Sequence, residues 1–260
     1  MYFTGGTPVE RFLTKEQFDA LQRLDACSVA NAIESFQVRM RNEGFASDNS
    51  VKCVFKHFPP MLGYAVTGMI RTSAPPMASS LPPPRELRFV DHTNWWNHVL
   101  SIPSPRVVVM QDVDHSPGVG SFMGGVHASI CKALGCIGYV TNGAVRDLAS
   151  VERLGFHLFA GHVSVSHAYA HVVSFGEPVE VGGLRIRPGD LVHGDRHGIQ
   201  TIPWSVAGEV AKRAAAIKEK ERLILDFCRS AEFSVEKLRK LIKEVDASLR
   251  TDSISEHDRK

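Results

Sequence analysis

The sequence predicts an α/β fold with helices added at its N-terminus and a long helical extension at its C-terminus. Two short apolar runs, Arg106–Asp112 and Cys136–Val140, have the composition of strands that are buried on both faces. Between these runs, apolar residues recur at helical spacing from Val126 onward. After Val206, Ala, Lys, Glu, Arg and Leu dominate, which is typical of long helices. We therefore divide the chain into an α/β core with N-terminal helices, residues 1–203, and a C-terminal helical extension, residues 204–260.

Capping residues and periodicity predict the elements that precede the central part of the chain. Thr14 as a cap, with the acidic Glu16 in the first turn, is typical of a helix start. The proline-rich segment 73–84 excludes a helix interior or a central strand. The adjacent Trp95 and Trp96 are expected to point to different faces of a short helix. The predicted elements are a helix from Thr14 to Leu24, a helix over Cys27–Phe36, a strand over Met61–Thr72, a loop over Ser73–Pro84 and a helix over Asp91–Leu100.

The stretch from Gly118 to Ala160 contains the predicted site. Gly124 and Gly125 form a turn that brings bare backbone N–H groups close to a ligand, because glycine has no Cβ. A helix and a buried strand follow, and a turn then places Arg146 and Asp147 at the mouth of the next helix. Sites in α/β sheets lie at such strand ends, so we expect the two glycines and the Arg-Asp pair to be neighbours.

Alternation and turn residues predict a mostly β region between the central stretch and the C-terminal helices. Its predicted elements are a strand over Val163–Phe175, a Gly-Gly hairpin over Pro178–Ile186, a turn over Arg187–Asp190, and short strands over Leu191–Asp195 and His197–Pro203. Two helices are then predicted, one from Val206 to Arg229 and one from Ser234 to Leu249, followed by a frayed end.

Composition argues against several classes of protein. The 260 residues carry a net charge of +2 with both signs mixed, which gives no electrostatic case for nucleic-acid binding. No apolar run approaches the length of a membrane span, and the N-terminus does not resemble a signal peptide. The five cysteines lack Cys-x-x-Cys spacing, so we expect reduced thiols in a cytoplasmic protein. The twelve histidines include no helical His-x-x-x-His pair, and zinc is not expected.

Arg146 and Asp147 are the candidate chemical groups. A carboxylate fixed at a helix start suits Mg²⁺ or Mn²⁺, and the neighbouring guanidinium suits a substrate carboxylate. The backbone from Gly124 through Val126 to His127 would bind the other end of the anion. Together these groups fit a small 2-oxo acid whose enolate needs stabilisation. A purely structural ion pair between the two side chains is the alternative, and the residues alone leave both open.

Two further patterns each have a functional interpretation and one that assigns no chemistry. The run Gly118–Gly125 imitates a dinucleotide fingerprint, but it does not follow a strand directly and no acidic residue ends the next strand. We therefore do not expect a dinucleotide. His127 lies beside the glycine turn. It would serve there as an acid or a base, or it would be exposed to solvent without a role in the chemistry.

These motifs, in this order, resemble the family of the regulator of ribonuclease activity A. The matching segments are Gly124–His127, Gly135–Asp147, Leu154–Phe156, the Gly182-Gly183 hairpin, Arg187–Asp190 and Asp195–Pro203. That family includes class II 4-hydroxy-4-methyl-2-oxoglutarate aldolases and oxaloacetate decarboxylases. The resemblance implies a β/β/α core like the swivelling phosphohistidine domain, in homotrimers or homohexamers with the site between subunits.

By this resemblance, Asp147 would hold Mg²⁺ or Mn²⁺ mainly through waters, and Arg146 would bind and stabilise the enolate of pyruvate. The backbone of Gly125–His127 would bind substrate. Catalytic members usually carry an acidic residue where this chain has Gly125, and a frequent Asp is replaced by Asn142. We therefore expect a metal-dependent lyase acting on a 2-oxo acid, with measurable oxaloacetate decarboxylation, feeble aldolase activity and weak metal affinity. The alternative is a non-catalytic protein-binding ring.

Overall fold

A computed structural model of the chain describes residues 13–76 and 93–245. These residues form two compact units, one within Arg41–Pro203 and the other within Met1–Met40 and Trp204–Lys260. The unit within Arg41–Pro203 contains the candidate site. No helix in the described part of the chain is long and apolar enough to cross a lipid bilayer.

The Arg41–Pro203 unit has mixed α/β structure, as predicted. Helices α1 (Lys15–Gln22) and α2 (Ala26–Ser35) belong to the other unit, and the helices of this one are α3 (Thr93–Ser101), α4 (Gly125–Ala133) and α5 (Leu148–Arg153). The strands of the main sheet are β1 (Lys52–Cys53), β2 (Met61–Arg71), β3 (Arg106–Asp112), β5 (Cys136–Thr141), β7 (His157–Ala160), β9 (His171–Phe175), β12 (Leu191–Asp195) and β13 (Gly198–Ile202). The remaining strands are β4 (Ser121–Met123), β6 (Ala144–Val145) and β8 (His162–Val163), which form a second sheet, and β10 (Val179–Val181) and β11 (Leu184–Ile186), which form a hairpin.

The main sheet has the strand order β1-β7-β5-β3-β2-β12-β13, and β9 also pairs with β2. Strands β2, β3, β5 and β7 are mutually parallel, whereas β12 and β9 run antiparallel to β2. Alternate residues of β3 enter different apolar clusters: Val108 and Met110 enter one, and Val107 and Val109 the other. Both clusters are buried, so the apolar run in β3 is covered on its two faces, as its sequence predicts.

The second sheet determines where the candidate site lies. It has three parallel strands in the order β4-β6-β8. The chain leaves β4 directly into α4, and it leaves β6 directly into the Arg146-Asp147 pair and α5. Because β4 and β6 are parallel neighbours, their carboxyl ends meet at one edge of this small sheet.

The other unit is helical in its described part. Helix α1 (Lys15–Gln22) begins at Thr14, which forms a capping box with Gln17, as the sequence predicts. Helix α2 (Ala26–Ser35) is capped by Asp25, and α6 spans Ala207–Cys228. The Arg213 guanidinium lies over the Phe36 ring at 5.2 Å, which joins α6 to the end of α2. A further helix covers 235–245.

The N-terminal helices, which the predicted division places with the α/β core, pack with α6. One predicted element differs from the structure. The predicted strand over Val163–Phe175 is interrupted, because only β8 and β9 at its ends are extended. Between them the Ser164 and Ser166 hydroxyls hydrogen-bond to nearby backbone groups, which competes with a strand ladder.

Other predictions are confirmed or lie outside the described residues. Gly182 and Gly183 both have positive φ, 65° and 73°, which is typical of the predicted tight hairpin turn. Trp95 is buried at 5% exposure and Trp96 is exposed at 36%, as expected for adjacent helical residues. The five cysteines, all within the described residues, form no disulfide with one another, and Cys27 and Cys228 are exposed. Residues 77–92 and 246–260, with the predictions made for them, lie outside the described part of the chain.

Candidate functional site

The structure brings the glycine turn and the Arg-Asp pair together. Gly124 is the N-cap of α4, and Asp147 is the N-cap of α5. The backbone N–H of Arg146 donates to the Met123 carbonyl at 3.0 Å, which joins the ends of β4 and β6. The two helix N-termini therefore meet at the Asp147 carboxylate.

Asp147 does not cap its own helix with its side chain. Its backbone is in the left-handed region, at φ 55° and ψ 37°, and its carboxylate points to α4 instead. There Oδ2 accepts a hydrogen bond from the Gly125 N–H at 3.0 Å, and Oδ1 accepts one from Arg146 Nε at 3.4 Å. Aspartate tolerates the left-handed conformation better than most residues. The side chain therefore satisfies one of the unpaired N–H groups of α4.

The environment of Asp147 favours its ionised form. The hydrogen bond from the Gly125 N–H is the largest cause that lowers the pKa of Asp147 below its ordinary value. The positive charge of Arg146 acts in the same direction, and so does His167 when its imidazole is protonated. The side chain is 41% exposed, so a charged carboxylate faces solvent at the meeting point of two helix N-termini.

The Arg146 guanidinium has N–H groups that make no hydrogen bond within the described part of the chain. Its side chain is 27% exposed, and among the described residues only Nε has a hydrogen-bond partner. The two terminal nitrogens carry the N–H groups that suit a bidentate contact with a carboxylate. The Nε contact to Asp147 is long and half-exposed, and such pairs contribute little to stability. A purely structural ion pair is therefore a weak explanation for this arginine.

The two glycines of the turn have different steric roles. A Cβ on Gly124 would lie 2.8 Å from Asp147 Oδ2 and 2.9 Å from Arg146 Cγ, so a side chain there would displace the pair. A Cβ on Gly125 would meet its nearest neighbour, Ser150 Cβ, at 3.4 Å, which is an ordinary contact. Only Gly124 is therefore required by packing, and Gly125 leaves space for a side chain beside the Asp147 carboxylate.

The side chains of Val126 and His127 flank this first turn of α4. Val126 is 70% exposed. The His127 ring stacks on Phe122 with the ring centroids 4.9 Å apart, so its orientation is set by an aromatic neighbour. Backbone N–H groups at this helix N-terminus are the donors that the sequence predicts for an anion site, and the first of them, from Gly125, already donates to Asp147 Oδ2.

A hydrogen-bonded network that the sequence analysis did not identify holds the segment leading into β4. The buried Asp112 carboxylate accepts hydrogen bonds from the N–H groups of Gly118 and Asp114, at 2.8 and 3.1 Å. Burial raises the pKa of Asp112 despite these two bonds. The Asn142 amide is paired with the Asp112 backbone, accepting from its N–H at 2.8 Å and donating to its carbonyl at 3.0 Å. An aspartate at position 142 would lack that donor, which explains the asparagine physically.

Sequence analysis also missed the segment that lies against the start of β4. A Cβ on Gly120 would collide with the His167 carbonyl, and the Ser121 N–H donates to the Ser166 carbonyl at 3.0 Å. The repeated serines around His167 were the available signal, because serine favours such side-chain-to-backbone turns. The turn contributes a further imidazole to the neighbourhood of Asp147.

The surroundings of Asp147 determine how a divalent cation would be bound there. Among the described residues, no group of three or more His, Cys, Asp or Glu side chains stands close enough to hold a metal ion. Asp147 offers a single ionised, exposed carboxylate at this place. Each of its oxygens has a lone pair left after its one hydrogen bond. Mg²⁺ commonly uses one or two carboxylates and keeps several waters. The residues present therefore suit a cation held largely by water.

Comparison with known proteins gives relatives of one kind. The chain matches the family model described as RraA-like, Aldolase/RraA, over residues 26–200. A Halalkalibacterium halodurans protein with the provisional name 4-hydroxy-4-methyl-2-oxoglutarate aldolase is 32% identical over 114 residues, which are 42% of this chain and 54% of that protein. Protein DlpA of Legionella pneumophila is 26% identical over 146 residues, which are 54% of this chain and 23% of DlpA. The chain thus spans about half or less of the length of these two relatives.

Solved structures share the fold. An uncharacterised protein from Pseudomonas syringae pv. tomato has a TM-score of 0.65 and 23% identity, covering 91% of this chain and 99% of that one. Streptomyces coelicolor RraAS2, described as an unusual member of the RNase ES inhibitor RraA protein family, has a TM-score of 0.61 and 20% identity, covering 82% and 98%. The family model covers more than half of the chain, and the motifs of the predicted resemblance lie almost entirely within it. The chain therefore belongs to the RraA-like family.

Proposed function

We propose that the protein is a lyase that cleaves a carbon–carbon bond of a small 2-oxo acid with a divalent cation, Mg²⁺ or Mn²⁺, and releases pyruvate. The observation that carries the proposal is the pairing of an ionised, exposed carboxylate with an arginine whose terminal nitrogens have no partner among the described residues. A positively charged guanidinium and a negatively charged carboxylate thus lie side by side at a helix N-terminus. The name of the Halalkalibacterium relative supports the same class of reaction.

Arg146 and the first turn of α4 would bind the substrate. The terminal N–H groups of Arg146 match the geometry of a carboxylate, and the N–H groups of Val126 and His127 would receive the remaining negative charge. These donors are fixed before the reaction, because β4, β6 and the Gly124 contact hold them in place. Preorganised donors stabilise charge that develops in the transition state.

Asp147 would hold the cation, which supplies Lewis acidity toward the keto oxygen when it is bound. In decarboxylation of oxaloacetate, the bond between C3 and the C4 carboxylate breaks and carbon dioxide leaves. The electron pair passes into the enolate of pyruvate, and a proton from solvent then completes pyruvate. Arg146 stabilises the negative charge of that enolate, and Asp147 stays ionised throughout.

Aldol cleavage has an additional requirement. A base must take the proton of the substrate hydroxyl, and Gly125 supplies no carboxylate for that purpose. His127 is the neighbouring titratable side chain on α4, although it stacks on Phe122. We therefore propose decarboxylation as the better supported of the two reactions, with His127 as the candidate base for the other.

The test is the rate of pyruvate release from oxaloacetate in variants of the pair. Asp147→Asn keeps an acceptor for the Gly125 N–H and tolerates the left-handed backbone, so it isolates the charge. We expect it to lose about 10- to 100-fold in metal-dependent rate, and Arg146→Gln to lose about 100-fold. Arg153→Gln is the matched control, because Arg153 lies on α5 and bonds Ser150 Oγ instead.

Equal rates in wild type, Asp147→Asn and Arg146→Gln would contradict the proposal. A wild type that never exceeds the rate of the metal alone would favour the non-catalytic alternative, a protein-binding ring. The similarity to RraAS2 supports that alternative, because RraAS2 is described as a member of a family of RNase inhibitors.

A further inference from the structure

Strand β4, which leads into the proposed site, has an irregular pairing with its neighbour β6. Ser121 lies opposite Ala144 and Met123 lies opposite Val145, so two steps along β4 correspond to one step along β6. Phe122 is the extra residue, which makes this irregularity a β-bulge. A ladder that is interrupted within a strand of three residues holds that strand only weakly against sliding. The position of β4 along β6 therefore depends on contacts outside this sheet.

The hydroxyl of Thr72 provides such a contact at the residue before β4. Thr72 directly follows β2, and its Oγ1 accepts a hydrogen bond from the Gly120 N–H at 3.2 Å. Thr72 and Gly120 are both buried, so this bond is shielded from water. A buried N–H that loses its acceptor costs free energy, because no solvent replaces the bond. The Thr72 hydroxyl therefore determines where the backbone enters β4.

The Asp114 carboxylate orients that hydroxyl. Its Oδ2 accepts hydrogen bonds from the Thr72 hydroxyl at 3.0 Å, from the Thr72 N–H at 2.6 Å and from the Ser73 N–H at 2.8 Å. A hydroxyl has one proton and two lone pairs, so a proton directed to Asp114 leaves a lone pair for Gly120. Burial opposes ionisation of Asp114, but the hydrogen bonds from Thr72 and Ser73 outweigh it and lower the pKa of Asp114. At neutral pH the carboxylate is thus ready to accept the hydroxyl proton.

Strand β4 connects this anchor to the chemical groups of the site. At the end of the strand, the Met123 carbonyl accepts a hydrogen bond from the Arg146 N–H at 3.0 Å. Two residues later, the Gly125 N–H donates to Asp147 Oδ2 at 3.0 Å. Three residues of extended chain cover roughly 10 Å and cannot lengthen further. A displacement of Gly120 is therefore passed on to both of these contacts.

We propose that Thr72, with its hydroxyl oriented by Asp114, is a positioning residue for the proposed reaction. It fixes β4 against sliding and so aligns the Gly125 N–H with the Asp147 carboxylate. Thr72 acts through Gly120 and does not itself contact the substrate. This inference rests on the proposed function for its effect on the reaction rate, whereas its effect on the Gly125 N–H can be measured without any substrate.

The experiment observes the Gly125 amide directly, by NMR spectroscopy of the full chain labelled with [¹⁵N]glycine. Gly125→Ala identifies the resonance by removing it, and the added Cβ has an ordinary 3.4 Å contact. Asp147→Asn shows in which direction the amide proton resonance moves when its charged acceptor is lost. We expect Thr72→Val, which removes the hydroxyl at nearly constant shape, to move the resonance in that same direction. Thr72→Ser, which keeps the hydroxyl, should leave it near its wild-type position.

Two further variants make the result specific. Thr67→Val is the matched control, because Thr67 is also fully buried on β2 but its hydroxyl has no hydrogen-bond partner among the described residues. It should leave the Gly125 resonance in place. Asp114→Ala frees the Thr72 hydroxyl to rotate and should move the resonance as Thr72→Val does. Asp114 is only half-buried, so this variant carries the test if thermal unfolding shows that Thr72→Val does not fold.

The consequence for the reaction is measured as pyruvate release from oxaloacetate with Mn²⁺. Thr72→Val should lower the metal-dependent rate about tenfold, which is the usual cost of disturbing a group that supports a metal ligand. Thr72→Ser should restore most of that rate, and Thr67→Val should retain all of it. Rescue by serine distinguishes a role of the hydroxyl from a role of side-chain volume.

The outcomes separate this inference from the proposed function. If neither Thr72→Val nor Asp114→Ala moves the Gly125 resonance, or if Thr67→Val moves it equally far, the inference is wrong and the proposed function stands. The inference is also wrong if the resonance moves but Thr72→Val releases pyruvate at the wild-type rate. If wild type releases no more pyruvate than Mn²⁺ alone, the proposed function fails, and the positioning role for Thr72 fails with it even where the resonance moves.

Discussion

At the scale of single residues, Asp147 is the group on which the proposed chemistry depends most. Its left-handed backbone turns the carboxylate away from α5 and toward the first N–H of α4. A substitution to alanine would add backbone strain to the loss of charge, because a residue with an ordinary Cβ disfavours this conformation by roughly 1–2 kcal/mol. Asparagine and aspartate share this tolerance, which is why asparagine is the informative replacement.

Gly125 gives a prediction at this scale. A carboxylate placed there would stand beside Asp147, and the Cβ that must carry it has an ordinary 3.4 Å contact. Affinity for hard divalent cations rises with the number of charged oxygen ligands. We expect Gly125→Glu to bind Mn²⁺ about tenfold more tightly than wild type, measured by isothermal titration calorimetry.

Gly125→Gln is the control for that prediction, because glutamine has nearly the same shape without the charge. If the glutamate and glutamine variants bind Mn²⁺ with the affinity of wild type, the missing acid does not limit metal binding. Gly124→Glu is unsuitable as a control, since its Cβ would collide with Asp147 and Arg146.

At the scale of elements, the parallel pairing of β4 with β6 assembles the site. Sequence periodicity predicted the helix after the glycines and the buried strand β5, because both have long apolar patterns. It also placed Arg146 and Asp147 at a helix start. It did not predict β4, β6 and β8 as a separate sheet, since strands of two or three residues have too few side chains to show a period.

The interrupted strand over Val163–Phe175 shows a second limit of prediction from sequence patterns. Val163 and Val165 alternate with serines as in a strand, yet Val165 is 95% exposed. Local hydrogen bonds from serine hydroxyls and the contact with Gly120 decide the backbone there. Such long-range contacts leave no mark in a short window of sequence.

Strand β7 gives a prediction about pH. His157 packs edge-on against Phe58, with ring centroids 5.3 Å apart, and burial lowers the pKa of His157 to about 4. The unfolded chain, with an ordinary histidine pKa near 6.5, therefore binds more protons between pH 6.5 and 4. His157 thus contributes stability above pH 6.5 that is lost as the pH falls toward 4, by up to about 1 kcal/mol per pH unit.

We expect His157→Gln to flatten this part of the stability profile, measured as the free energy of unfolding by denaturant at several pH values. His57→Gln is the matched control, because the His57 side chain is 64% exposed. Parallel loss of stability in wild type and His157→Gln between pH 6.5 and 4 would show that His157 does not titrate in this way.

At the scale of the whole molecule, the N-terminal and C-terminal helices form one unit although they lie far apart in sequence. The helical pattern of α1, α2 and α6 was predictable, because each has a cap or an apolar face. Their common packing was not, because periodicity identifies an apolar face without identifying what covers it. The apolar runs and helical spacing predicted the α/β class and the family resemblance predicted the core within it, and the solved structures that share the fold confirm the class.

The oligomeric state is a further prediction at this scale. Apolar side chains remain exposed in both units, including Trp96 at 36%, Val163 at 63% and Leu225 at 53%. Together with the resemblance, these surfaces lead us to expect a trimer or a hexamer. Multi-angle light scattering at micromolar concentration checks this, and a monomeric mass would remove a site between subunits from the account.

The central claim is that Arg146 and Asp147 form the site of a metal-dependent lyase for 2-oxo acids. Its most direct measurement is the rate of pyruvate release from oxaloacetate by the wild-type protein with Mg²⁺ or Mn²⁺, with the rate of the metal alone subtracted. We expect a protein-dependent rate that disappears when a chelator is added and returns when excess metal is restored. A rate no greater than that of the metal alone, or one that the chelator leaves unchanged, would contradict the claim.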